Sequence, residues 1–262
     1  MENECKNCGN RFNGKYCNNC GQKFDVTQFT FKHIFKEAFH GFTHADKSFI
    51  FFAKKLLINP GKLAYEYIIQ RKRKKYFNPF SFFVLITSLN ALIEGIDLNL
   101  KEKLFHYGDT YNHFFNIYNK IFSIVTIPVV AFAIWLIHRH KTKVRYSEYT
   151  VFVMILFSLF GMVGIFVHAL NYLITIITHR YVSIDNTMLF LGVMIAYMAY
   201  ASFQFHTKLN NSSIFKSILS GLFFFVVFMV IELLAVFAIL NHFKGIGIFD
   251  LFGIWIRQPA SG

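Results

Sequence analysis

The sequence predicts an all-α integral membrane protein, a bundle of about five transmembrane helices preceded by amphipathic interfacial helices and a small N-terminal knuckle. Three observations predict it. Of 262 residues, 55% are hydrophobic and 35 are Phe, with a positive mean hydropathy, which is more apolar side chain than a water-facing surface accommodates. The apolar residues gather into five long stretches beyond position 76, and all four cysteines fall within the first twenty positions. A run of five basic residues stands immediately before the first apolar stretch.

Residues 1–24 form the knuckle. Cys5-Lys6-Asn7-Cys8-Gly9 and Cys17-Asn18-Asn19-Cys20-Gly21 are two Cys-x-x-Cys pairs separated by eight residues. That spacing wraps one tetrahedral Zn²⁺, and so short a loop has little else to fold around. Cys5, Cys8, Cys17 and Cys20 are therefore expected to hold a structural zinc, closed by four thiolates. Zinc thiolates suit a reducing compartment, whereas a disulfide framework expects an oxidising one. The opening MENECKNCGN lacks the apolar core of a cleavable signal, so the N-terminus is expected in the cytoplasm and the protein in the cytoplasmic (inner) membrane as a multi-pass chain.

Residues 25–76 are basic and amphipathic. Phe31, Ile34, Phe35, Ala38, Phe39 and Phe42 recur at helical spacing, with Lys32, His33, Lys36, Glu37 and His40 on the other face. His33, Glu37, His40 and His44 make a stripe that a metal would suit less well than the cysteine quartet does. Asp46 or Ser48 caps a second helix to Ile58, Asn59-Pro60-Gly61 turns the chain, and a third helical stretch is expected from Lys62 to about Lys75. Aromatic faces opposed to basic ones suit helices lying among lipid headgroups. Residues 1–78 carry 15 Lys or Arg against 6 Asp or Glu. Arg71, Lys72, Arg73, Lys74 and Lys75 beside a membrane span fix its orientation and attract anionic headgroups at about 1 kcal/mol each.

Residues 77–262 are the transmembrane region. The expected spans are Phe77–Ile93, Tyr118–Ile137, Val151–Ile177, Met188–Phe205 and Ile214–Leu240, while Ile246–Ile256 is too short to cross and reads as interfacial or re-entrant. Arg139, Lys141, Lys143, Arg145 and Lys208 fall in loops on the side of the N-terminus, as the positive-inside rule asks. No convincing internal repeat stands out. Within the spans, His168 and Glu232 lie at membrane depth, where a charged acid costs ~2.5 kcal/mol or more, so each is expected to face the bundle interior, and the two form a candidate pair. Gly192 and Ala196 form a small-residue pair at the spacing of close helix packing.

The Cys-x-x-Cys-Gly pairs ending in Cys20-Gly21-Gln22, followed by Asn59-Pro60-Gly61, Glu66-Tyr67-Ile68 and the basic run leading to Tyr76 and Pro79, resemble the bacterial membrane-protein family called domain of unknown function 3667. In that family a glycine usually precedes the basic run; this chain has Gln70-Arg71 there. The resemblance implies a zinc-ribbon-like element joined to a multi-pass membrane region and brings no catalytic residue with it. No nucleotide-binding loop, Ser/His/Asp set or His-Glu-x-x-His motif occurs in the chain. The function expected is a non-enzymatic, membrane-anchored interaction or sensing module whose knuckle recruits a cytosolic protein, a nucleic-acid partner being disfavoured by the short tether to the bilayer. The alternatives are a small permease using His168 and Glu232, or a membrane enzyme acting on lipid or envelope precursors.

Overall fold

The computed structural model describes residues 3–24, 47–105, 110–180, 187–211 and 213–242. The first amphipathic stretch with His33, Glu37, His40 and His44 lies outside these, as does Ile246–Ile256. Two short strands, β1 (Asn3–Glu4) and β2 (Arg11–Phe12), pair antiparallel in the knuckle, with Asn3 opposite Phe12 and Glu4 opposite Arg11. Seven helices follow among the described residues. They are α1 (Lys47–Ile58), α2 (Pro60–Ile68), α3 (Pro79–Phe105), α4 (Thr110–His138), α5 (Tyr146–Thr178), α6 (Thr187–Lys208) and α7 (Ile214–His242).

Each of the five expected spans falls in one of the helices α3 to α7. Pro79–Leu104, Tyr146–Thr178 and Ile214–Ile231 are long and apolar enough to cross a membrane, and Ile124–His138 is a shorter apolar segment. The helices run further than the apolar stretches do. α3 continues twelve residues past the expected Ile93 because Asn90, Glu94, Asp97 and Lys101, spaced four, three and four, form one buried stripe of a single helix. Glu94, Asp97 and Lys101, which fall between the expected spans ending at Ile93 and beginning at Tyr118, are an inward helix face.

α5 is the centre of the bundle. It packs most extensively on α3 and α4, and α7 joins α4 to α6 around the side. Its first half is sealed by apolar contacts, residues 151–157 being buried without interruption. Two glycines bring α3 in close: a Cβ at Gly161 would stand 2.7 Å from Ile86 Cγ2, and one at Gly164 2.7 Å from Asn90 Oδ1.

α1 and α2 sit at the end of the bundle where α3, α5 and α7 begin. Phe52 and Leu56 of α1 and Leu63, Ala64, Tyr67 and Ile68 of α2 join the main core, and Phe49 and Phe52 pack on Phe77 and Phe82. The opposite face of α1 presents Ile50, Leu57 and Ile58 outward. Asn59-Pro60-Gly61 does more than turn the chain. Pro60 opens α2, where a missing N–H is harmless, and Gly61 lies directly against α6, its N–H donating to Gln204 Oε1 at 3.1 Å.

The third helical stretch is shorter than the periodicity suggested. α2 ends at Ile68, and Arg71 to Lys75 form a turn instead of helix. The Lys72 N–H reaches back to Glu66 O at 3.0 Å and Arg71 takes φ 58°, the left-handed region that glycine favours, at the place where the family resemblance leads one to expect glycine. Asn78 then caps α3, its Oδ1 accepting from the N–H of Phe80 at 2.9 Å and of Ser81 at 3.3 Å, with Pro79 in the first helical position.

Candidate metal centre and its seat on the bundle

The knuckle is built from two copies of one loop, twelve residues apart. Cys5 N–H donates to Asn10 O and Gly9 N–H to Cys5 O; Cys17 N–H donates to Gln22 O and Gly21 N–H to Cys17 O, at 2.8 to 2.9 Å. Gly9 and Gly21 take φ 74° and 70°, and the Glu4–Arg11 pairing is matched by a bridge between Tyr16 and Lys23. The repeat is written in the sequence as well, Cys5-x-Asn7-Cys8-Gly9-x-x-Phe12 returning as Cys17-x-Asn19-Cys20-Gly21-x-x-Phe24 with Arg11 matched by Lys23, which corrects the expectation of no internal repeat; eight positions are too few to stand out without the shared backbone turns.

The four thiols meet between the loops. Their sulfurs lie within 4.8 Å of one another, with Cys5 to Cys20 at 3.5 Å and Cys8 to Cys17 at 3.7 Å. A tetrahedron with metal–sulfur bonds of about 2.3 Å has edges of about 3.8 Å, so the set is positioned to hold one metal ion. The thiolate form is prepared at Cys17. Burial opposes it, but the backbone N–H groups of Cys20 and Asn19 and the neighbouring Cys8 and Cys5 thiols outweigh burial and bring the thiol down to about 6. At Cys5 burial prevails and pushes the thiol up to about 11, the direction that a bound cation would reverse. Among the described residues this is the single group of three or more His, Cys, Asp or Glu side chains close enough to share an ion.

Gln22 joins the knuckle to the helices. Its side chain is buried; Nε2 donates to Arg71 O at 3.2 Å and Oε1 accepts from the Lys74 N–H at 3.4 Å. The basic run is thus gripped by its backbone. Its side chains are not equivalent: Lys75 donates to Glu66 Oε2 at 2.6 Å and lies beside the Phe51 and Tyr76 rings, Lys74 is exposed, and Arg71, Lys72 and Arg73 are half-buried. Tyr76 OH donates to the same Glu66 oxygen at 2.8 Å. Burial works to raise the Glu66 carboxyl, but the bonds from Lys75 and Tyr76 and the charges of Lys75 and Lys72 win and hold it below its ordinary 4.5. Glu66 was legible as part of a motif but not as the brace of the basic turn.

Two further polar clusters lie in the bundle. On the far half of the α3–α5 seam, Asp97 Oδ2 accepts from Lys101 Nζ at 3.0 Å and faces His168 Nδ1 at 3.5 Å, with Asn171 and Thr175 one and two turns beyond. The structure therefore gives His168 a partner on α3, Asp97; Glu232 belongs to α7, and its side chain lies outside the described residues. At the knuckle end, His138 of α4 stacks on His206 of α6 with ring centroids 3.5 Å apart. His206 Nδ1 faces the Ser202 carbonyl at 2.7 Å and so carries the proton, leaving Nε2 to accept from Tyr149 OH at 2.9 Å. Ser220 gives its proton to Lys216 O, so His138 Nε2 donates to Ser220 Oγ at 3.3 Å. The two histidines stand one position past the expected ends of their spans, Ile137 and Phe205, and contacts spanning 57 and 82 positions leave no local signal.

Fold and site together define a helical protein of membrane-spanning character whose N-terminal knuckle, with four cysteines placed so that they could hold a metal ion, is seated on its basic end. Residues 46–90 match the model of a family described as a protein of unknown function, DUF3667. The sequence resemblance is borne out over that stretch, which comprises α1, α2, the basic turn and the start of α3, while the cysteine motif lies ahead of it. No curated protein and no solved structure matches the chain.

Proposed function

We propose that the protein is a membrane-anchored interaction or sensing module. A structural Zn²⁺ held by Cys5, Cys8, Cys17 and Cys20 folds the knuckle, which offers its free face to a cytosolic protein, and the basic turn and exposed lysines of the same end meet the anionic headgroups of the cytoplasmic membrane. The observation that carries this reading is the seat of the knuckle: Gln22 ties the four-thiol site directly to the Arg71–Lys74 backbone. Tyr16 and Phe24 remain exposed on the knuckle and supply an apolar patch for a partner. The module reading is also favoured over a permease by the apolar packing around residues 151–157, which leaves the His168 and Asp97 cluster confined to one half of the bundle.

Metal analysis of the purified full chain is the test. One equivalent of zinc per chain is expected, falling to near zero in the Cys5→Ser, Cys17→Ser double variant. Iron in place of zinc, or a metal-free chain purified from membranes under reducing conditions, overturns the reading.

A further inference from the structure

The position of Gln22 is set by the metal loop. It follows Cys20 and Gly21, and its carbonyl accepts the Cys17 N–H at 2.9 Å, so its backbone belongs to the turn that carries two of the thiols. The side chain leaves the knuckle and spends both ends of its amide on backbone groups of the basic turn. That turn is held from two sides. Glu66 braces it from within through the Lys72 N–H and the Lys75 ammonium, and Gln22 closes it from outside. Between the two, Arg71 keeps a left-handed φ of 58° that L side chains avoid, so the turn relaxes when a restraint is removed.

The knuckle has few means of its own to keep that restraint in place. Its strands are two residues long, and among its described residues Phe12 is the one large apolar side chain buried with the cysteines in its core. A unit this small folds when its metal binds and loosens when the metal leaves.

We propose that metal occupancy governs the exposure of the basic turn: the loaded knuckle clamps Arg71–Lys75 through Gln22, and loss of the metal frees the turn and its cationic side chains. This rests on the zinc reading above and adds regulation to it, making the headgroup-facing turn responsive to metal supply.

Timed trypsin digestion of the full chain in detergent micelles tests it, with cuts after residues 71 to 75 resolved by mass spectrometry. Cleavage in the exposed Arg139–Lys143 loop serves as the internal reference, since it lies outside the clamp. The zinc-loaded protein is expected to resist cleavage in the turn, and EDTA to accelerate it roughly tenfold relative to the reference. Gln22→Ala, loaded with zinc and retaining one equivalent, is expected to be cut at the stripped rate. Equal turn cleavage with and without metal, or a loaded Gln22→Ala as resistant as the wild type, overturns this inference alone. A chain that binds no zinc at all is recognised by its metal content and overturns the earlier reading instead.

Discussion

Glu66 holds two elements together with one carboxylate. It sits in α2 and receives Lys75 and Tyr76 from the turn before α3, and because its folded pKa lies below the unfolded value, its contribution is fully present above the ordinary 4.5 and is lost as the pH falls through the lowered folded value. Glu66→Gln keeps an acceptor for Tyr76 but loses the charge that Lys75 meets. It is expected to cost about 2 kcal/mol at neutral pH, since Lys75 is partly exposed and its share is screened. Melting the wild type and the variant side by side across acid pH checks this: the Tm gap should be widest near neutrality and close on acidification. A gap that is constant with pH would show that Glu66 acts through packing alone.

At the scale of elements, the decisive contact is that of α2 with α6. A Cβ on Gly61 would lie 2.3 Å from Ala201 O, 2.5 Å from Gln204 Cβ and 2.6 Å from Phe205 N, so any side chain there pushes the helices apart and breaks the bonds from Gly61 to Gln204 and from Gln204 to Asn59. Gly61→Ala should cost about 3 kcal/mol, whereas Gly192→Ala, whose site is open, should cost nothing and stabilise by up to about 1 kcal/mol through helix propensity; paired thermal melts decide it. Elements of this kind divide by how local their signal is. The cysteine quartet and the five apolar stretches were legible because spacing and hydropathy are written in consecutive residues. The far turns of α3 were not, since Glu94, Asp97 and Lys101 are charged whether they face water or a neighbouring helix, and only their spacing of three and four betrays the buried face. The pair of His138 and His206 was invisible for a stronger reason: it exists only after α4 and α6 have packed.

Over the whole molecule, charge is sorted by end. Among the described residues of the bundle, the acids near the knuckle are Glu66 and Glu148, and both are committed internally, Glu148 by accepting the Arg145 N–H at 2.9 Å. Lys54, Lys62, Lys74, Arg139, Lys141 and Lys143 stand exposed at the same end. Glu94, Asp97 and Glu102 belong to the other half. This polarity predicts orientation in the membrane. Reporter fusions after Gly21 and within Lys141–Arg145 should report cytoplasm, and one near Asp109 the opposite side; a cytoplasmic signal at Asp109 sinks the arrangement. The long helices agree with it, since α3 and α5, of 27 and 33 residues, exceed the ~20 that a bilayer core requires and carry the polar seam toward one surface.

The twofold likeness of the knuckle raises a question of orientation that a single methylene answers. Rotating the two loops onto each other places Asn10 on Gln22, so by shape alone either loop is able to face the bundle. Asn10 is too short to leave its own unit: its Nδ2 donates to Asn18 Oδ1 at 2.7 Å, inside the knuckle. Gln22, one carbon longer, reaches the Arg71 carbonyl instead. The side of a nearly symmetric object that faces the membrane helices is thus chosen by the difference between two amides, and exchanging them, Asn10→Gln with Gln22→Asn, would invite the knuckle to dock back to front.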